Sequence, residues 1–199
     1  TALAIIIGTA AVIAVIGIGS SAEKALEESI DDLGPRTLSI FPSQRKRGGI
    51  SSGFNPLVIK DAEALDKNKE HDWLVAPAMS GNRQVKYRNS NMSGEINGYL
   101  PINFEVRGFD LGHGRLFTEK ENLGRKRVIV LGSKVPGELK TSAKQILNKE
   151  ILIAGTSYTV VGILSEEGST GWQNPDDDLY VPLLTAAQRI FGTDRLGWI

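Results

Sequence analysis

The chain has 199 residues, of which 41% are hydrophobic, and its 23 Lys and Arg residues balance 23 Asp and Glu residues. This length suits one domain or two small ones, and the zero net charge gives no basic footprint for binding nucleic acid. The absence of cysteine from the sequence excludes a disulfide framework, a zinc–thiolate site and a thiol nucleophile. Only His71 and His113 are available for histidine chemistry. We therefore predict no catalytic, cofactor-binding or metal-binding residue.

An uncharged apolar run opens the chain. Residues 1 to 22 carry no charged side chain. A run of about 20 such residues matches a hydrocarbon core about 30 Å thick. Its Leu, Ile and Val residues contribute about −3 to −5 kcal/mol towards membrane insertion. The run predicts a transmembrane helix over residues 1–21, and the residues predicted to span the bilayer are Leu3, Ile6, Ile7, Val12, Ile13, Val15 and Ile16.

Three other interpretations of this run remain open. It is also compatible with a buried core helix, or with a secretory signal peptide cleaved near Ser20-Ser21-Ala22. The third alternative is an NADP-binding Rossmann-type soluble enzyme that uses Gly17-x-Gly19-x-x-Ala22 for the pyrophosphate and Arg45-Lys46-Arg47 for the 2′-phosphate. Against it, the run extends well upstream of the glycines, and the rest of the sequence lacks a βαβ alternation.

A predicted helix continues beyond the apolar run over residues 22–34. Its apolar stripe is spaced as on one helix face, and Gly34-Pro35 supplies a stop. This segment would stand out of the membrane as a stalk on the non-cytoplasmic side, because its flank is acidic. We expect it to act as a mechanical coupler, through the side chains of Leu26, Ile30 and Leu33.

The remainder of the chain predicts a mixture of helices and strands. The first part contains a strand over Thr37–Phe41, a loop over Ser43–Gly53, a helix from Leu57 to about Lys69, paired strands over Trp73–Met79 and Gln84–Arg88, a turn over Asn89–Gly94 and a strand over Glu95–Leu100. The second part contains a short helix capped by Thr118 and Glu121, a strand over Arg127–Leu131, a partly helical Val135–Ala143, a hairpin of Glu150–Ala154 with Tyr158–Leu164, a strand over Leu179–Pro182, a helix capped by Thr185 that stops at Gly192, and the start of a strand over Leu196–Ile199.

Several segments, taken in order, resemble the permeases of MacB-type ABC transporters. The first is LAIIIGTAAVIAVIGIGSSAEKALEESIDDLGPRTLSIFP, and the later ones are EINGYLPINFEVRGFDLGHGRLFTEKEN, RVIVLGSKV, KEILIAGTSYTVVGILSEEGS and DDDLYVPLLTAAQRIFG. The similarity covers essentially the whole chain. It departs from the family pattern before the hairpin, where Leu139-Lys140-Thr141-Ser142 and Ile146-Leu147-Asn148-Lys149 replace the usual turns.

The resemblance implies an α+β fold with two parts behind the transmembrane and stalk helix. Residues 35–105 and 170–199 would build a porter-like α/β subdomain, and residues 106–169 a small β-rich, Sabre-like insertion. The domain would be non-catalytic and would lie on the periplasmic side of the inner membrane.

The resemblance also implies partners. These are an ABC ATPase that binds ATP and Mg, a second permease copy, a periplasmic adaptor protein and the lipid bilayer. This chain itself contains no Walker A motif, which indicates that it is moved by the ATPase.

A polar loop over residues 165–178 holds the candidate contact residues. Asp176, Asp177 and Asp178 lack the spacing of a calcium loop, so we expect a solvated loop that faces a partner. Trp172 in the same loop is the candidate for an exposed aromatic contact.

Overall fold

The structure is a computed structural model that describes residues 37–47, 50–68, 72–168 and 174–199, with the backbone alone described over 43–55. Residues 39–199 form one compact unit, and of the other unit, residues 1–38, only Thr37 and Leu38 are described. The predicted membrane helix 1–21 and stalk 22–34 lie outside the described residues. Within the described ranges, none of the helices has the length and apolar character needed to cross a bilayer.

The described part of the chain consists of strands and short helices. The strands are β1 (Ser43–Arg47), β2 (Ile50–Asn55), β3 (Leu57–Val58), β4 (Ala78–Tyr87), β5 (Ser90–Tyr99), β6 (Leu111–Gly114), β7 (Val128–Leu131), β8 (Glu150–Ile153), β9 (Thr156–Leu164), β10 (Leu179–Pro182) and β11 (Arg195–Leu196). The helices are α1 (Ile59–Lys67), α2 (Ile102–Arg107), α3 (Glu119–Leu123), α4 (Val135–Glu138), α5 (Ala143–Ile146) and α6 (Leu183–Thr185), which continues as a π-helix over Ala186–Phe191.

The principal sheet closes on itself. Its strand order is β6-β9-β7-β10-β5-β4-β8, and β8 pairs with β9 as well as with β4, so six of the seven strands form a ring. The β10–β5 and β7–β9 pairs are parallel, and the other pairs are antiparallel. In β9, Val161 has no partner in the register with β7, because Ile129 pairs with Val160 and Val130 with Gly162. Such a bulge bends a strand, which helps the sheet to close.

The ring takes strands from both predicted subdomains. Strands β4, β5 and β10 come from the predicted porter-like ranges, and β7, β8 and β9 from the predicted insertion 106–169. The hydrogen-bonded sheet therefore runs across both predicted boundaries. The division into a porter-like and a Sabre-like part stays a prediction.

Apolar side chains cover both faces of this sheet. One face carries mainly aliphatic residues, including Val85, Ile96, Ile129, Ile151, Ile153, Val160 and Leu179. The other carries a cluster of aromatic rings, in which Tyr99, Phe104, Phe117 and Tyr180 contact one another at centroid distances of 5.1 to 5.9 Å. Burial of these side chains stabilises the fold, at roughly 1.5–3 kcal/mol for each large apolar residue.

Several predictions for the first part of the chain are wrong. Thr37–Phe41 is not a strand, and the predicted loop Ser43–Gly53 contains most of the hairpin β1–β2. The predicted strands Trp73–Met79 and Gln84–Arg88 are replaced by the single strand β4, and the predicted turn Asn89–Gly94 lies mostly within β5.

The predicted turn Asn89–Gly94 is wrong because its glycine does not form a turn. Gly94 serves close packing, since an added Cβ would lie 2.6 Å from Leu179 Cδ1. The turn is made instead by Arg88 and Asn89, with Arg88 at a φ of +52°.

Most predictions for the second part are confirmed. The capping box of Thr118 and Glu121 begins α3, the strands β7, β8, β9 and β10 form, and the last helix stops at Gly192 in a left-handed conformation. Thr185 does not cap that helix, because it is buried and its hydroxyl donates to Lys126 O. Of the predicted strand Leu196–Ile199, only Leu196 lies in a strand, β11, which pairs with β3.

Candidate functional site

The two ends of the compact unit meet in a backbone pair. Ile40 N donates to Ile199 O at 2.9 Å, and Ile199 N donates to Ile40 O at 3.0 Å. Trp198 bridges to Ala78 at the start of β4, and the Arg107 guanidinium lies 4.4 Å from the centre of the Trp198 ring. This junction fixes residues 40 and 199 side by side on the principal sheet.

A buried carboxylate, Asp176, organises the predicted contact loop. Its side chain has an exposed fraction of 0%. It accepts hydrogen bonds from Ser133 Oγ at 2.9 Å, from Lys134 Nζ at 2.8 Å and from Glu167 N at 3.0 Å. Burial by itself raises the pKa of Asp176, but these donors outweigh burial and hold the pKa below its usual value. The loop is therefore fastened to the segment that follows β7.

Two residues further on, Asp178 has a different environment. Asn97 Nδ2 donates to Asp178 Oδ2 at 3.0 Å, and no cation pairs with this carboxylate among the residues that the structure describes. Burial, with smaller contributions from the charges of Glu95 and Asp177, raises the pKa of Asp178 to about 7, against the effect of the Asn97 hydrogen bond. Asp178 therefore titrates near neutral pH.

The predicted contact residues other than Asp178, which is described above, separate into three cases. Trp172 lies outside the described residues. For Asp176 the expectation of a solvated loop is wrong, since Ser133, Lys134 and the Glu167 amide take the place of water around its carboxylate. Asp177 is half-buried and accepts a hydrogen bond from Asn174. Contact of this loop with a partner stays a prediction.

Sequence reasoning missed a shallow groove beside the π-helix. It has a volume of about 490 Å³ and is lined by Arg125, Leu184, Ala187, Gln188, Gly192, Thr193 and Asp194. Arg125 lies in the turn after α3, far from the π-helix in sequence. No local sequence pattern indicates the groove, because its lining residues come from two separate segments of the chain.

The sequence pattern of the MacB-like periplasmic core domain matches residues 1–198. The chain belongs to the MacB-like periplasmic core domain family. MacB, the macrolide export ATP-binding/permease protein, of Bdellovibrio bacteriovorus is 33% identical over 193 residues, which cover 96% of this chain and 30% of that protein. MacB of Neisseria gonorrhoeae is 30% identical over 192 residues, with the same coverage of both proteins. The chain thus spans about a third of the length of these MacB relatives.

Two solved structures resemble the fold of this MacB-like domain. The periplasmic region of MacB from Actinobacillus actinomycetemcomitans matches with a TM-score of 0.65 and 23% identity, over 80% of this chain and 71% of that one. The extracellular domain of the ABC-type transporter YknZ from Gram-positive bacteria matches with a TM-score of 0.66 and 21% identity, over 81% of both chains. These matches support the α+β fold and give no support to the alternative of an NADP-binding Rossmann enzyme.

Proposed function

We propose that this MacB-like domain transmits ATP-driven motion to the outer side of the membrane, where it drives export or substrate extraction. The observation that carries the proposal is the junction of Ile40 with Ile199. Ile40 follows the predicted stalk in the sequence, and the junction attaches it to the closed sheet, because Trp198 beside Ile199 bridges to Ala78 of β4. A displacement of the stalk would then move the whole ring.

The motor would belong to a separate part of the transporter. The relatives are named ATP-binding/permease proteins, and this chain covers 30% of their length. We propose that an ABC ATPase module binds ATP and Mg, and that this domain is non-catalytic. The proposed assembly also includes a second permease copy, the lipid bilayer and a periplasmic adaptor protein that docks on the outer side of the inner membrane.

Labelling of cysteines in intact cells tests on which side of the membrane the domain lies. The exposed Lys144→Cys and the fully buried Ile129→Cys form a matched pair in a chain without natural cysteines. We expect a membrane-impermeant maleimide to label Lys144→Cys after permeabilisation of any outer membrane, and to leave Ile129→Cys unlabelled. Labelling of Lys144→Cys only after lysis would show that the domain is not extracytoplasmic.

A break in the predicted stalk tests the transmission of motion. The stalk residues Leu26, Ile30 and Leu33 lie outside the described residues, so its helical structure is a prediction. Insertion of Gly-Pro between Glu27 and Glu28 should leave ATP hydrolysis intact and abolish transport, because these residues interrupt a helix. Both rates are measured on the full transporter in proteoliposomes. Transport at the unmodified rate would contradict the coupler role.

A further inference from the structure

The segment before β10, residues 174–178, is held on the chain that follows β7. Gly132 N donates to Asp178 O at 2.8 Å, and Lys134 N donates to Asp176 O at 2.9 Å. The Asp176 carboxylate adds its own contact with Lys134 Nζ. We name residues 174–178 the latch segment, because these bonds fasten it to the residues after β7.

Asp178 and Glu95 are like charges on neighbouring strands. The parallel register of β10 with β5 pairs Leu179 with Ile96. The residues before them, Asp178 and Glu95, therefore lie side by side on the same face of the sheet. Asn97, which donates to Asp178 Oδ2 at 3.0 Å, is the next residue on this face of β5. Burial of Asp178 and, to a smaller extent, its repulsion by Glu95 favour a proton on the pair.

The other titratable groups around Asp178 are two carboxylates, two phenols and two cations: Asp176 and Asp177 of the latch segment, Tyr99 of β5, Tyr180 of β10, Lys134 after β7 and Arg107 of α2. Lys134 Nζ lies 2.8 Å from Asp176 Oδ2, and the Arg107 guanidinium lies 4.4 Å from the centre of the Trp198 ring. Burial raises the pKa of both tyrosines, so their hydroxyls stay neutral. Within the described ranges, a proton is therefore the group that neutralises Asp178.

We propose that Asp178 and Glu95 form a proton-sensitive switch that keeps the latch segment on the sheet in acid and lets it open as pH rises to neutrality. A protonated Asp178 remains in its half-buried site beside Asn97 without a charge to hydrate. An ionised Asp178 gains water when the latch segment separates from residues 132–134, which breaks the two backbone bonds. The inference rests on the proposed function only in placing this switch outside the cytoplasm.

Hydrogen exchange of the full-length transporter in detergent micelles measures the opening. Mass spectrometry follows the peptides that contain Gly132 and Lys134 at several pH values between about 5 and 8, and the rates are expressed as protection factors, which removes the intrinsic pH dependence of exchange. The pKa of Asp178 is about 7 in the closed form and 3.8 ordinarily, so the closed form binds the proton more tightly. We expect the protection factor to fall by up to about tenfold per pH unit as pH rises towards 7, and to level off above 7.

Asp178→Asn should keep the protection of the closed form at every pH, because its amide oxygen accepts from Asn97 and carries no charge. Glu95→Gln removes the repulsion and should restore part of the protection at about pH 8, whereas the matched control Glu63→Gln, at an exposed glutamate on α1, should change nothing. Protection that still falls with pH in Asp178→Asn, an unchanged profile of Glu95→Gln, or protection that does not fall with pH in the unmodified protein would each overturn the proposal. Any of these results alongside external labelling of Lys144→Cys would reject the switch alone.

Discussion

Asp176 and Asp178 show how two neighbouring carboxylates differ through their hydrogen-bond donors. Asp176 is fully buried, but a lysine, a hydroxyl and an amide stabilise its charge. Asp178 has only the neutral amide of Asn97, with Glu95 and Asp177 nearby. Removing the charge should therefore have opposite consequences for stability at the two positions.

The raised pKa of Asp178 predicts that the folded protein loses stability as pH rises through neutrality. Its pKa is about 7 in the folded protein and 3.8 ordinarily, so the folded state binds the proton more tightly. The stabilisation that this tighter proton binding gives the folded state is fully present below pH 3.8 and is lost as pH rises through 7. At about pH 8, Asp178→Asn should raise the free energy of unfolding by about 2 kcal/mol, since the half-buried site reduces the full effect.

Urea unfolding of residues 22–199 at several pH values measures this difference. Asp176→Asn is the matched control, and it should lower the free energy of unfolding by about 2–3 kcal/mol at neutral pH, because the donors Ser133 Oγ, Lys134 Nζ and Glu167 N lose a buried charged acceptor. Destabilisation by Asp178→Asn at about pH 8 would contradict this prediction, because it would show that the charged carboxylate of Asp178 stabilises the folded protein.

At the level of elements, the π-helix packs tightly against the sheet through glycines. A Cβ added to Gly98 would lie 2.6 Å from Ala186 Cβ and 2.8 Å from Met79 Cγ. At Gly81 it would lie 2.9 Å from Phe191 Cε1, and the Arg83 guanidinium lies 4.8 Å from the centre of the same ring. These contacts hold Ala186 and Phe191 on the sheet, while Leu184 and Ala187 remain at the groove.

Gly98→Ala should lower the free energy of unfolding by about 1–3 kcal/mol, because the backbone of β5 and the π-helix must separate. Gly137→Ala is the control, since nothing lies within 4 Å of its added Cβ. It should be neutral or slightly stabilising, as alanine favours a helix over glycine. Thermal melts of both variants of residues 22–199 give the comparison. Equal melting temperatures would show that β5 and the π-helix accommodate the added methyl group without loss of stability.

The same elements show what sequence alone could predict. The strands β7 and β10 are apolar runs, and the capping box of α3 is local, so both were found from the sequence. The length of β4 and β5 was not, because Gly81 falls between two predicted strands and Gly94 in the predicted turn, while the actual role of these glycines depends on Phe191 and Leu179, distant in sequence. The groove was missed for the same reason, since Arg125 and Ala187 meet only in the folded protein.

At the scale of the whole molecule, the ring makes the predicted subdomains depend on each other. β10 joins β7 on one side and β5 on the other, and β4 joins β5 and β8. Removal of residues 106–169 would therefore expose one edge of β10 and one edge of β4. Sheet edges that lose their partners leave backbone groups unpaired and apolar faces uncovered.

We therefore expect residues 22–199 to unfold in a single transition, with coincident curves from tryptophan fluorescence and circular dichroism. Replacement of residues 106–169 by a short Gly-Ser link should abolish the cooperative melt. The control places the same link in the two-residue turn Ala154-Gly155, where the ring is preserved and the melting temperature should change little. A cooperative melt of the deleted form would show that residues 35–105 and 170–199 fold as an independent subdomain, and that closure of the ring is not what holds the molecule together.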